Sequence, residues 1–160
     1  ALMAALSDVN INVRFHAIEA LGKLGSVDAV ESLMRIAESK DFFLAFPALD
    51  ALKRIGEIRI APRLIPFLSV ESLRDPAAEA LGALGDETVV EPLTKVLNDN
   101  PHSAIPIASA LTALYDRFEE KLGNYREARR WTEQARDALA QTPGDEAARE
   151  SARRHWSDSS

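Results

Sequence analysis

The sequence predicts an all-α protein, a right-handed α-solenoid of stacked helix pairs closed by a helical C-terminal cap. Three observations predict it. The chain repeats itself about every 30 residues without gaps, each copy carries an apolar stripe of helical period, and glycines punctuate the copies.

Four segments align: Val13 to Gly25 (VRFHAIEALGKLG), Leu44 to Gly56 (LAFPALDALKRIG), Leu73 to Gly85 (LRDPAAEALGALG) and Ser103 to Tyr115 (SAIPIASALTALY). Their shared leucines, Leu21, Leu52, Leu81 and Leu111, are 31, 29 and 30 residues apart. An alanine precedes each one (Ala20, Ala51, Ala80, Ala110), and Leu24, Ile55, Leu84 or Leu114 follows three residues later. In the first copy Ala17, Ala20, Leu21 and Leu24 fall at i, i+3, i+4 and i+7, one stripe of a 3.6-residue period. The small alanines allow neighbouring helices to approach closely. Gly25, Gly56 and Gly85 predict helix ends closed in the left-handed conformation, which glycine adopts without steric penalty. Tyr115 replaces that glycine in the fourth copy, so its helix is expected to run on through Phe118 toward Leu122.

A second helix follows in each copy. Leu33, Leu64 and Leu93 stand eight residues after the closing glycine, followed by Ile36, Phe67 and Val96 and then by Ala37, Leu68 and Leu97. Ser26 and Asp86 are the expected N-caps of the first and third of these helices. Pro66 lies inside the second and should kink or shorten it. Leu2, Ala5 and Leu6 repeat the second-helix pattern and read as the tail of an earlier repeat. With Ala1 rather than Met at the start, the chain reads as a piece of a longer protein. One pair of helices in about 30 residues cannot bury both apolar faces alone, so stacked copies share a continuous core.

VRFHAIEALGKLG and LRDPAAEALGALG resemble the short HEAT-like repeat also found in phycobilisome lyases. That family often carries an arginine near the start of the first helix; Arg14 and Arg74 match it, whereas Ala45 and Ala104 do not. Pro47, Pro76 and Pro106 share one aligned position, where the family often has proline or a kink, and His16 takes it in the first copy. The resemblance covers residues 1–118. Beyond Phe118, Gly123-Asn124-Tyr125-Arg126-Glu127-Ala128, with Ala135 seven residues on, resembles the second helix of a tetratricopeptide repeat. Pro143-Gly144-Asp145 resembles the boundary before a next helix, with the proline about three residues late for that family's spacing. Residues 119–156 are expected to form a helical cap or tetratricopeptide-like segment, and 157–160 a disordered tail. Trp131 shares a helical face with Ala128, Ala135 and Ala138. Asp145 is the expected cap of a helix carrying Ala148, Ala152 and Trp156 on one side. The sharper reading of Trp131 and Trp156 is a second binding module or a dimer contact.

Composition excludes several functions. Without cysteine there are no disulfides and no thiolate zinc sites, which agrees with a cytoplasmic setting. No apolar run reaches the roughly 18 residues of a membrane span, and no signal segment opens the chain. Through Phe118 the sequence has 16 acids against 11 bases, which would repel a phosphate backbone and argues against nucleic acid as a partner. HEAT-like DNA glycosylases need a basic groove, which this balance denies. Nucleophile-elbow, phosphate-loop and His-Glu-x-x-His motifs are absent. His16, His102 and His155 have no second ligand at a recognised metal spacing. The HEAT-like deoxyhypusine hydroxylases bind iron through His-Glu pairs, but His16 is followed by Ala17. The expectation is therefore no catalytic residue, no metal and no cofactor: a non-catalytic protein-interaction scaffold or adaptor. By resemblance to bacterial HEAT-like proteins fused to signalling modules, its role would be regulatory.

The resemblance further implies that second helices line a concave face that binds another protein or peptide segment. Its polar positions here are Glu31, Arg35 and Glu38, then Arg63, then Glu91, Lys95 and Asn98. Glu31 aligns with Glu91 and Arg35 with Lys95, so stacking would set them in rows. The alternative function that the resemblance carries is a bilin lyase-like accessory or chaperone factor for chromophore attachment. An aromatic content of 6% and the lack of any evident bilin pocket favour the scaffold at this point.

Overall fold

A computed structural model describes residues 1–122 and 126–141. The helices are α1 Leu2–Ala5, α2 Ile11–Leu24, α3 Val30–Glu38, α4 Phe42–Ile55, α5 Ala61–Leu64, α6 Glu71–Leu84, α7 Val90–Asp99, α8 Ala104–Leu122 and α9 Arg126–Gln141, with no strand among the described residues. The chain is an α-solenoid. Its first layer stacks α2 on α4, α4 on α6 and α6 on α8. Its second layer consists of α3, α5 and α7, which pack on α4, α6 and α8, the first helices of the repeats that follow. The helix α9 lies against α8 and touches α7. The calls on Trp156, on the Pro143-Gly144-Asp145 boundary and on the 157–160 tail lie outside the described residues, as does the side chain of Trp131.

The periodic leucines form the core. Leu21, Leu52, Leu81 and Leu111 are buried from the first layer, and Leu33, Leu64 and Leu93 are fully buried from the second. Leu6 at the end of α1 is buried and α1 packs on α2, as its second-helix pattern predicts. The expected stripe on α2 fails at Leu24, which is 70% exposed. Its equivalents become covered along the stack: Ile55 is half-buried, and Leu84 and Leu114 are buried. Ala20 is half-buried while Ala51, Ala80 and Ala110 are buried. The reason is geometric. This alanine faces the preceding first-layer helix: Ala51 meets Gly22 of α2, and Ala110 meets Gly82 of α6.

Helix ends follow local chemistry. Asn10 accepts a hydrogen bond from the Asn12 N–H at 2.9 Å and starts α2. Gly25 (φ +65°) and Gly56 (φ +79°) close α2 and α4 in the left-handed conformation. Gly85 differs from expectation: its φ of −73° and ψ of 168° are extended. Glycine is required there by space, since an added Cβ would lie 2.6 Å from the Leu81 carbonyl oxygen and closer still to the Val89 side chain. The closing job passes to Arg117 on α8, whose guanidinium donates to the carbonyls of Ala83 and Gly85 and so satisfies the end of α6. Each second helix is entered through a short 3₁₀ turn (Val27–Ala29, Ile58–Ile60, Glu87–Val89). Asp86 caps the third turn, accepting from the Thr88 N–H at 2.9 Å. Ser26 makes no cap bond; Glu57 caps the second turn instead, accepting from the Arg59 N–H at 3.1 Å. The Arg59 side chain and this N–H together pull the Glu57 carboxyl down to about 2.

Two predicted irregularities are present. After Leu64 the second helix of the second repeat tightens into a 3₁₀ segment, Ile65–Ser69, because Pro66 has no N–H to offer the carbonyl four residues back. Without a glycine at Tyr115, α8 continues to Leu122, kinking at Phe118 (φ −115°, ψ 16°).

The first layer is held together by missing atoms. A Cβ on Gly22 would lie 2.8 Å from Ala51 Cα, and one on Gly82 would lie 2.8 Å from Ala110 Cα. In an open helix Gly→Ala stabilises by about 1 kcal/mol. Gly82→Ala should reverse that sign and destabilise the fold by roughly 1–3 kcal/mol, since backbone must move to admit the methyl. Leu52→Ala should cost roughly 2–5 kcal/mol. Urea unfolding of both variants checks these values; a stabilised Gly82→Ala protein would mean that α6 and α8 are not in this contact.

Candidate functional site

On the second layer, the charged residues singled out from sequence are all exposed. Glu31 and Glu38 are seven residues apart on one face of α3, and Arg63 reaches them from α5 in the next repeat. The Arg63 guanidinium donates to both Glu31 oxygens, at 2.8 and 3.3 Å, and to Glu38 at 3.2 Å. These three residues form one cluster that ties neighbouring repeats. Arg35, one turn away on α3, donates to the Ser32 hydroxyl at 3.3 Å. Glu91, Lys95 and Asn98 lie on α7, and Asn98 borders a cleft between α7 and α9 with Leu97, His102, Ile105 and Gln134.

Hydrogen bonds from Arg63 hold the Glu31 carboxyl below its ordinary value of 4.5, and the same bonds raise Arg63. A carboxylate lowered in the folded state contributes stability above its unfolded value, and loses it as pH falls through the lowered folded value. The contribution is small for so exposed a pair. In Arg63→Ala the Glu31 midpoint should therefore move up toward 4.5, as followed by NMR titration of its side-chain carbon. An unmoved midpoint would mean that the pair does not form in solution.

The first layer carries a second feature, between α2 and α4. Phe15, Glu19 and Lys23 fall at i, i+4 and i+8 and so lie along one stripe of α2. Phe46, Asp50 and Arg54 do the same on α4, each 31 residues after its counterpart. The two stripes line one groove, floored by Pro47 and Ala51. Phe15 meets Phe43 with ring centroids 5.6 Å apart and His16 edge-on at 5.7 Å. Phe42, Phe43 and Phe46 are 53%, 54% and 56% exposed. Deeper in the groove Asp50 accepts from Arg54 at 2.7 Å and pairs with Lys53 at 3.2 Å, while Lys53 bridges to Glu79 of α6 at 3.1 Å. Partial burial pushes the Asp50 carboxyl up, but the bonds from Arg54 and Lys53 outweigh it and leave the group lowered. For Lys53, burial acts downward and the bonds to Glu79 and Asp50 prevail, so it is raised.

Inspection of second-helix polar positions alone passes over this groove, yet its signal is in the repeat register. The aligned positions of the third copy are Asp75, Glu79 and Ala83, and those of the fourth are Ile105, Ser109 and Ala113. The order aromatic, acid, base therefore belongs to the first two copies only. Among the described residues no cluster of His, Asp and Glu could hold a metal ion, and no helix is long and apolar enough to cross a membrane.

Stacked helix pairs with this punctuation define a class, and the chain is a HEAT-like repeat protein. Residues 1–75 match the HEAT repeats family and residues 73–99 match the PBS lyase HEAT-like repeat family. The chain is similar to phycocyanobilin lyase subunit alpha of a Picosynechococcus species, at 30% identity across 75% of this chain and 52% of the relative. It is similarly related to phycocyanobilin lyase subunit alpha of a Nostoc species, at 31% identity across 75% of this chain and 50% of the relative. The chain spans about half the length of these curated relatives. They correct the expectation of a non-catalytic module, because both are named as lyase subunits. The motifs that the sequence lacks, a nucleophile elbow, a phosphate loop and His-Glu-x-x-His, do not bear on a lyase.

Proposed function

We propose that the chain is the HEAT-like repeat portion of a bilin lyase-type protein that takes part in chromophore attachment. The observation that carries this reading is the similarity to two phycocyanobilin lyase alpha subunits across three quarters of the chain, 30% and 31% identical. The fold supports it by offering two differently built surfaces on one stack. The second-layer face with Glu31, Arg35, Glu38, Arg63, Glu91, Lys95 and Asn98 would hold a segment of the acceptor polypeptide. There Arg63 is already held by Glu31 and Glu38, so recognition of an anionic segment would rest on Arg35 and Lys95. Lacking cysteine, the chain offers no thiol of its own for a chromophore to be attached to.

The test is optical. The purified chain, titrated with phycocyanobilin, should shift and sharpen the visible absorption of the pigment with a saturable dependence. A spectrum that stays that of the free pigment at saturating protein would overturn the bilin reading. In the same system, reversing charge at Arg35 and Lys95 should weaken capture of an unpigmented acceptor subunit; unchanged capture by a folded double variant would remove that face from the proposal.

A further inference from the structure

The groove between α2 and α4 combines features that neither core packing nor the repeat fold requires. Phe15 and Phe46 line it, Phe43 lies against Phe15, and Phe43 and Phe46 are more than half exposed. Soluble proteins seldom leave such a cluster open without a use for it. Along the groove the chemistry changes in one direction, because the stripes are in register at the 31-residue repeat. Phe15 and Phe46 come first, then Glu19 and Asp50, then Lys23 and Arg54. Eight residues of helix make this gradient about 12 Å long.

That arrangement discriminates between occupants. The centre of a protein–protein interface is depleted of charge, whereas here four charged side chains line the same groove as the rings. The groove is shallow, with a cavity of about 130 Å³, so it would receive one face or one end of a small molecule rather than enclose it. Rings offer faces for stacking, with the tilted Phe15–Phe43 pair already in contact distance. Carboxylates accept from N–H donors, and the cationic end receives an anion. Asp50 is already paired with Arg54, and His16 lies 3.5 Å from the Glu19 carboxylate. The exposed Lys23 ammonium therefore stands as the principal partner for an anion.

We propose that this groove is a binding site for a flat, conjugated, anionic ligand that carries N–H donors. An open-chain tetrapyrrole has all three properties: a conjugated face, pyrrole N–H groups and propionate carboxylates. Its assignment as the ligand rests on the function proposed above; the groove itself rests on the residues.

Phe46→Ala and Lys23→Gln alter exposed side chains and should leave the thermal unfolding of the protein close to wild type. His102→Ala, in the α7–α9 cleft, serves as control. Each protein is titrated with phycocyanobilin by absorption and, separately, with anilinonaphthalene sulfonate by fluorescence. Phe46→Ala should weaken bilin binding about tenfold or more, Lys23→Gln should weaken it less, and His102→Ala should not change it. Bilin binding that is intact in both groove variants would overturn the site while leaving the proposed function standing. If the wild type binds no bilin, the proposed function falls and the dye decides the site: fluorescence lost in Phe46→Ala and Lys23→Gln supports it, and fluorescence that is absent or unaffected overturns it. Loss of an acceptor polypeptide with bilin binding retained in Phe46→Ala would also overturn it, and make the groove a protein contact.

Discussion

The structure depends on how closely its first-layer helices can approach. At Gly22 against Ala51 and at Gly82 against Ala110 there is no room for one more carbon, so the backbones themselves are in contact. A contact of this kind has one register. Sliding a helix by one residue would bring a side chain onto backbone. Once register is set, residues 31 apart on α2 and α4 lie side by side, and whatever the repeat carries at a given position becomes a row. The buried leucine ladder supplies the bulk of the hydrophobic stabilisation, but leucines alone would tolerate several offsets. Specificity of stacking comes from the glycines.

The middle joint is built differently. Where Gly22 and Gly82 stand in their repeats, α4 has Lys53. Its ammonium reaches Glu79 on α6 and Asp50 on its own helix. On the other side of the same joint, Pro66 turns the second helix into a short α-turn followed by a 3₁₀ segment, and Arg63 ties it back to α3. Thus α4 and α6 share the buried leucines and alanines of the repeat, but a charged side chain stands where the flanking joints have glycine. Half-exposed ion pairs bind less tightly than close packing and tolerate more displacement.

Much of this was legible in the sequence because it depended on local pattern. Leucine spacing located both layers, Pro66 foretold the broken second helix, and the absence of glycine at Tyr115 foretold the extension of α8. What was not legible depended on neighbours outside each repeat. Leu24 has the right period, but whether it is covered is decided by the stack and not by α2. Gly85 has the right residue type, yet the helix end is completed by Arg117, 32 residues on, and the glycine answers to Val89 instead. Ser26 is a good cap by type and makes no bond, whereas Glu57, a residue ranked lower for that role, accepts from Arg59. The site was least legible. Charge on the second helices was visible residue by residue, whereas the aromatic groove exists only when two repeats are laid side by side.

The position of that groove follows from the first constraint. It lies on α2 and α4, the pair drawn together at Gly22 and Ala51, and Ala51 lines it. Close approach at this point does two things at once. It brings Phe15 of one repeat within ring contact of Phe43 in the next, and it sets two acid–base stripes in parallel at a separation fixed by backbone rather than by flexible side chains. Rings, acceptors and a cation thus stand in a set order on the two helices whose backbones meet at Gly22 and Ala51.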